Sequence, residues 1–193
     1  MERFIFLPLA ISLLIFSFLF QRGSKEILRA SFLIYLLAIS LSIGISLFQA
    51  FLTYFLWEKS SFSHLLLPPF TPISYFLSYV FFHFFRPGLF NISLSLFFLA
   101  LLKFFNKIFK GRLFFEEEIY FASFAILASP FPTNFLLIIL AFFGGILISL
   151  TKKIYKRKTE FTSLYYFWLP LTILMIVFKP FIIILPILKD LAM

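Results

Sequence analysis

Glu116, Glu117 and Glu118 stand together where a long uncharged run begins, directly after the basic stretch of residues 103–112. The chain has only eight acidic residues in 193, so carboxylate chemistry has few other places to sit. Two carboxylates sharing a proton can act as general acid and general base on one bound water. A carboxylate at the end of a membrane helix is costly to desolvate, which makes it a candidate functional group. The same three residues also fit a solvated interfacial turn, because the positive end of a helix dipole favours Glu in the first turn. His64 and His83 are the two histidines. His83, beside Phe84, Phe85 and Arg86, reads as an interfacial anchor rather than a base. With no cysteine in the chain, disulfides, thiol nucleophiles and thiolate-held metals are excluded. Neither a metal nor a cofactor is expected.

Such residues must be positioned by apolar elements. The chain is 62% hydrophobic and 13% charged, with a mean hydropathy of +1.06. Soluble domains carry about 25% charged residues. The composition therefore predicts an all-α, polytopic transmembrane helical bundle in a single integral membrane domain, residues 1–193. Spans are expected near residues 4–20, 30–57, 70–85, 88–105, 113–129, 135–150 and 163–178. That makes about seven, most reaching the roughly 17–20 residues a helix needs to cross the hydrocarbon. Residues 180–188 are too few to span and are expected at the interface. The apolar runs lack the two-residue alternation of an outer-membrane barrel.

The N-terminal run has no small-x-small cleavage site after residue 20, so it is read as a retained helix. The +9 net charge would suggest nucleic acid in a soluble protein. Here Lys and Arg lie at span ends, where topology and anionic headgroups account for them, and nucleic acid is not expected. The expected partners are the lipid bilayer and other membrane proteins or a second copy of the chain. The expected location is a prokaryotic cytoplasmic membrane. The 34 phenylalanines are spread over every span, as lipid-facing residues would be. Ser40, Ser42, Gly44 and Ser46 are small residues that permit close helix contact in lipid. Arg86-Pro87-Gly88 reads as a turn, and Pro130-Phe131-Pro132-Thr133-Asn134 as a hairpin. With seven spans and the N-terminus inside, Lys59 and residues 103–118 and 152–158 face the cytoplasm, and residues 22–29 face outward.

The middle of the chain resembles the core of the type IV prepilin peptidases, membrane aspartic proteases with a GxGD motif. The likeness covers roughly residues 58–178 and rests on span order and connector lengths. An apolar span and a basic connector, Lys110-Gly111-Arg112, lead to Glu116-Glu117-Glu118 and then Ile119-Tyr120-Phe121-Ala122-Ser123-Phe124-Ala125-Ile126-Leu127. Upstream, Ser63-His64-Leu65-Leu66-Leu67-Pro68-Pro69 is similar to the segment that carries the family's first aspartate. The resemblance implies a prepilin-peptidase-like core and places the second aspartate at Glu118, with Phe115 and Glu117 where its glycines stand. The first falls near Ser63, which does not titrate, and the chain's single Asp is Asp190. Glu58 is the carboxylate expected on the same face as Glu118, so Glu118 and Glu58 are the candidate catalytic residues.

Without the aspartate pair, the expected role is catalytically degenerate: a scaffold or partner in a membrane assembly. An active but divergent endopeptidase using the glutamates is one alternative. A small transporter or channel subunit is the other, although no expected span carries a charge at its midpoint.

Overall fold

The computed structural model describes residues 24–110, 114–129, 131–156 and 165–182. The span expected at residues 4–20 lies outside them. Every regular element among the described residues is helical. The helices are α1 (Ser24–Lys59), α2 (Ile73–Val80), α3 (Arg86–Ile108), α4 (Glu116–Ala128), α5 (Thr133–Lys156) and α6 (Tyr165–Ile182). The piece expected at the interface over residues 180–188 begins inside α6 and continues beyond the described residues.

α1 runs unbroken because it contains no proline and its hydroxyls fold back onto its own backbone. Ser40, Ser46 and Thr53 donate to carbonyls four residues earlier, at 3.0, 3.1 and 2.8 Å. Such bonds satisfy a hydroxyl inside an apolar helix. After Lys59 comes a 3₁₀ turn, Ser63–Leu66. The prolines at 68, 69 and 72 then remove the N–H groups that would carry a helix onward, and Thr71 Oγ1 donates to Leu65 O at 2.7 Å to tie the loop.

The turn expected at Arg86-Pro87-Gly88 is helix instead. α2, a five-residue π turn (Phe81–Phe85) and α3 form one continuous helix, Ile73–Ile108, of 36 residues. The expected spans at 70–85 and 88–105 are therefore a single element. In a regular helix the Pro87 ring would collide with a carbonyl in the preceding turn. The wider π turn directly before it accommodates the ring without breaking the helix. The Ser46 hydroxyl, from α1, donates to the Phe84 carbonyl within that π turn at 3.2 Å.

α1 and the Ile73–Ile108 helix lie antiparallel in one register. Trp57 meets Phe76 at one end, Ser46 meets Gly88, and Tyr35 meets Ser95 further along. Leu28 shares a cleft with Lys103 at the other end. Leu28–Lys59 of α1, 32 residues, and Ile73–Ile108, 36 residues, are the segments long and apolar enough to cross a membrane among the described residues. Of the small residues expected to allow close packing, Ser42 and Ser46 face Gly88, whereas Gly44 faces open space.

α4 lies against both long helices and is apolar all round after its first turn, the pattern of an enclosed helix. Ala122, Ala125 and Ile126 are fully enclosed with Phe98 and Leu102 of α3, Leu137 and Ala141 of α5, and Trp168 and Met175 of α6. It is shorter than the span expected at 113–129, with 13 residues, or about 20 Å at 1.5 Å per residue. α5 then returns along α3, with Phe131 against Phe90 and Phe142 against Phe98. The two ends of α4 are thus on different levels of the bundle, and α5 ends at the Lys103 end of α3.

The Ser42–Ser46–Gly88 crossing generates the first prediction. A Cβ at Gly88 would sit 3.6 Å and 3.7 Å from the two serine hydroxyls, which is ordinary contact. Gly88→Ala is expected to leave the thermal midpoint in detergent close to that of the parent. Gly88→Leu is expected to lower stability by about 1–3 kcal/mol through overpacking. Equal midpoints for parent and Gly88→Leu would mean that the helices do not cross there.

Candidate functional site

The three glutamates open α4 and occupy different environments. Glu116 is exposed and Glu117 half-buried, while Glu118 is 1% exposed and makes a polar or electrostatic contact within the protein. Phe115 precedes them in extended conformation and ends the chain's approach to the helix.

Glu58 lies at the opposite end of the molecule. It is exposed in the last turn of α1, whereas Glu116 shares a cleft with Leu28 in the first turns of the same helix. The 30 residues of continuous helix between Leu28 and Glu58 correspond to about 45 Å. The structure does not bring Glu58 and Glu118 together. The expectation that both face the same side rested on a turn at residues 86–88, and the continuous helix through that point moves residues 103–118 to the other end. Ser63 lies in the 3₁₀ turn beside Glu58, also far from Glu118.

Neither histidine approaches α4. His64 Nδ1 bonds with Ser60 O at 3.0 Å. His83 Nδ1 bonds with Tyr79 O at 2.9 Å, and its ring stacks on Tyr79 at 4.0 Å. Among the described residues no group of three or more His, Asp or Glu side chains is placed to hold a metal.

A cleft opens at the end of the bundle where α1 begins, α3 finishes and α4 starts. Its volume is about 360 Å³, and Lys103, Asn106, Lys107, Glu116 and Tyr120 line it with Leu28 and Ile119. Lys103 is anchored by aromatic contact: its Nζ donates to Tyr120 Oη at 2.9 Å and lies 4.7 Å from that ring's centre. Asn106 is 9% exposed, and its Oδ1 accepts from Phe114 N at 3.2 Å. That bond fixes the direction of the amide, because a backbone N–H requires the oxygen.

Deeper in the bundle two polar seams join the helices. Tyr35 Oη and Ser95 Oγ lie 2.9 Å apart. Ser95 Oγ donates to Ser123 O at 2.6 Å, so in the first contact the tyrosine is the donor. The second seam closes the turn between α4 and α5. Asn91 Nδ2 donates to Ser129 O at 3.3 Å, and Asn134 Nδ2 donates to Asn91 Oδ1 at 3.1 Å.

Sequence reasoning on the carboxylates missed the cleft and both seams. A signal for the cleft is present, because Lys103, Asn106 and Lys107 recur at three and four residues and so share one helix face. Comparison of the chain with family models, with curated proteins and with solved structures yields no match.

The Ser95 contacts generate the second prediction. Ser95 is fully buried, and Ser95→Val would leave the Tyr35 hydroxyl without its acceptor and remove the side-chain donor to the Ser123 carbonyl. A loss of about 1–3 kcal/mol is expected, measured by thermal unfolding in detergent. Tyr35→Phe in the Ser95→Val background should then add little, since the shared bond is already gone. Full additivity of the two changes would show that the hydroxyls are not coupled.

Proposed function

We propose that the chain is a multi-pass membrane protein with a prepilin-peptidase-like core, lacking the peptidase centre and serving as a scaffold or partner in a membrane assembly. One observation carries this reading: Glu58 stands about 45 Å along α1 from Leu28, which shares a cleft with the first turn of α4. A shared-proton mechanism needs its carboxyl groups within reach of one water. The enclosure of Glu118, at 1% exposure, further supports a structural role.

Lipid contact accounts for the outer faces of the long helices. Leu33, Leu56 and Phe97 are 62–64% exposed, and in water such faces would be an aggregation hazard. Charge also supports a bilayer crossing. Merging residues 73–108 into one helix removes a crossing from the expected seven and changes which segments share a side. Lys25 and Arg29 of α1 now lie at the same end as Lys103, Lys107 and Lys110, and α5 brings Lys152, Lys153 and Lys156 to that end too. Lys59 is left at the other end, and Arg86 stands within the Ile73–Ile108 helix. The positive-inside rule assigns the more basic end to the cytoplasm.

Two experiments test the proposal. In this cysteine-free chain, single cysteines replacing Glu58 and Lys107 should be labelled from opposite sides of sealed vesicles. Labelling of both from one side would contradict a hairpin that crosses the bilayer. Co-expression with a prepilin-type substrate should give no leader removal. Cleavage by the parent that is lost in Glu118→Gln would establish an active peptidase instead.

A further inference from the structure

The cleft between α1, α3 and α4 carries both signs of charge. Lys103 and Lys107 line one side from α3, and Glu116 stands on α4. All three are exposed. Among the described residues neither lysine forms an ion pair with Glu116 or with another carboxylate; the Lys103 ammonium meets the Tyr120 phenol instead. Opposite charges lining one cavity without touching leave room for a ligand that carries both charges in reverse order.

Asn106 supplies the second, independent observation. It is nine-tenths buried and lines the cleft. Its oxygen is committed to Phe114 N, which leaves the Nδ2 group as the half of the amide that can donate to a ligand.

From this geometry we infer that the cleft binds the phosphoethanolamine headgroup of a membrane phospholipid. The phosphodiester oxygens accept from Asn106 Nδ2 and from the Lys103 and Lys107 ammonium groups. Bonds of this charge-assisted type are the strong ones. The ligand's primary ammonium donates to the Glu116 carboxylate. A cavity of about 360 Å³ accommodates such a group, at the lower end of the range for small-molecule sites. The acyl chains leave past Leu28 toward Phe32, which packs edge-on against Tyr120 at 5.5 Å and is 42% exposed. This inference goes beyond the scaffold role and does not depend on it.

The test uses the full chain, delipidated in detergent and titrated with phosphatidylethanolamine, phosphatidylglycerol or phosphatidylcholine, with bound lipid counted by native mass spectrometry. The parent is expected to prefer phosphatidylethanolamine. Phosphatidylglycerol brings no cation for Glu116, and the quaternary ammonium of phosphatidylcholine has no N–H to donate. Lys107→Ala should weaken phosphatidylethanolamine and phosphatidylglycerol alike by roughly tenfold. Glu116→Gln, at an exposed position that leaves the fold intact, should remove the preference between them. Equal occupancy by all three lipids in the parent, or a preference unchanged in Glu116→Gln, would overturn the proposal. Soluble glycerophosphoethanolamine forms a separate arm. Displacement of the lipid only at great excess supports a lipid ligand, whereas binding as tight as the lipid's would overturn the lipid source and assign the cleft to a water-soluble phosphoethanolamine.

Discussion

The Ser95 hydroxyl holds three helices at one point. It accepts from Tyr35 of α1 and donates to the Ser123 carbonyl of α4, all from within α3. Apolar packing between helices slides easily, because one aliphatic contact resembles the next. A pair of directional bonds does not, and leaving either group unpaired in a dry interior carries a penalty. The register of α1 against Ile73–Ile108 follows from this bond together with the Ser46 contacts at Phe84 and Gly88. That register, in turn, places Leu28 beside Lys103 and Lys107 and so forms the cleft.

The same constraint governs the short helix. α4 covers about 20 Å, less than the roughly 30 Å of hydrocarbon in a bilayer. If its first turn lies at the headgroups, its last turn lies inside the membrane, where water is not at hand to satisfy free carbonyls. Irregular backbone at that depth is tolerated only when protein surrounds it. The structure provides that enclosure. Asn91 reaches Ser129 O, and Asn134 bonds to Asn91, while Ser129, Thr133 and Asn134 are all fully buried. Three residue types rare in apolar spans thus gather at the one place where a chain reversal needs them.

Hydropathy made the long apolar elements legible, and the helical class followed from the absence of alternation. α1 was expected at 30–57 and occupies Ser24–Lys59. The joint at residues 86–88 was not legible, because a charge, a proline and a glycine together carry every local sign of a turn. What overrides them is tertiary: a π turn before the proline, and the Ser46 side chain of another helix pressed against it. Position along the chain then failed as a guide to which end of the bundle a segment occupies, since each missed or added reversal moves everything after it. For the same reason Glu58 was set beside Glu118 when α1 separates them. The carboxylates were conspicuous because they are scarce. Asn106 and Tyr120 were not, because their role depends on partners beyond the next helical turn, Phe114 for Asn106 and Lys103 for Tyr120.

Glu116 and Glu118 show how little distance along a helix separates two kinds of carboxylate. Two positions apart, they face different directions, one into the open cleft and one into the bundle. Helix geometry alone enforces this, since residues two apart lie about 200° around the axis from each other. The inward residue is 1% exposed, so no substrate reaches it without opening the core. The outward residue stands among cations, with a dipole behind it that favours its charge. Such a carboxylate is well placed to hold a cationic group and poorly placed to exchange a proton with a distant partner. The first turn of α4 therefore suits contact with a cation better than proton exchange with a second carboxylate.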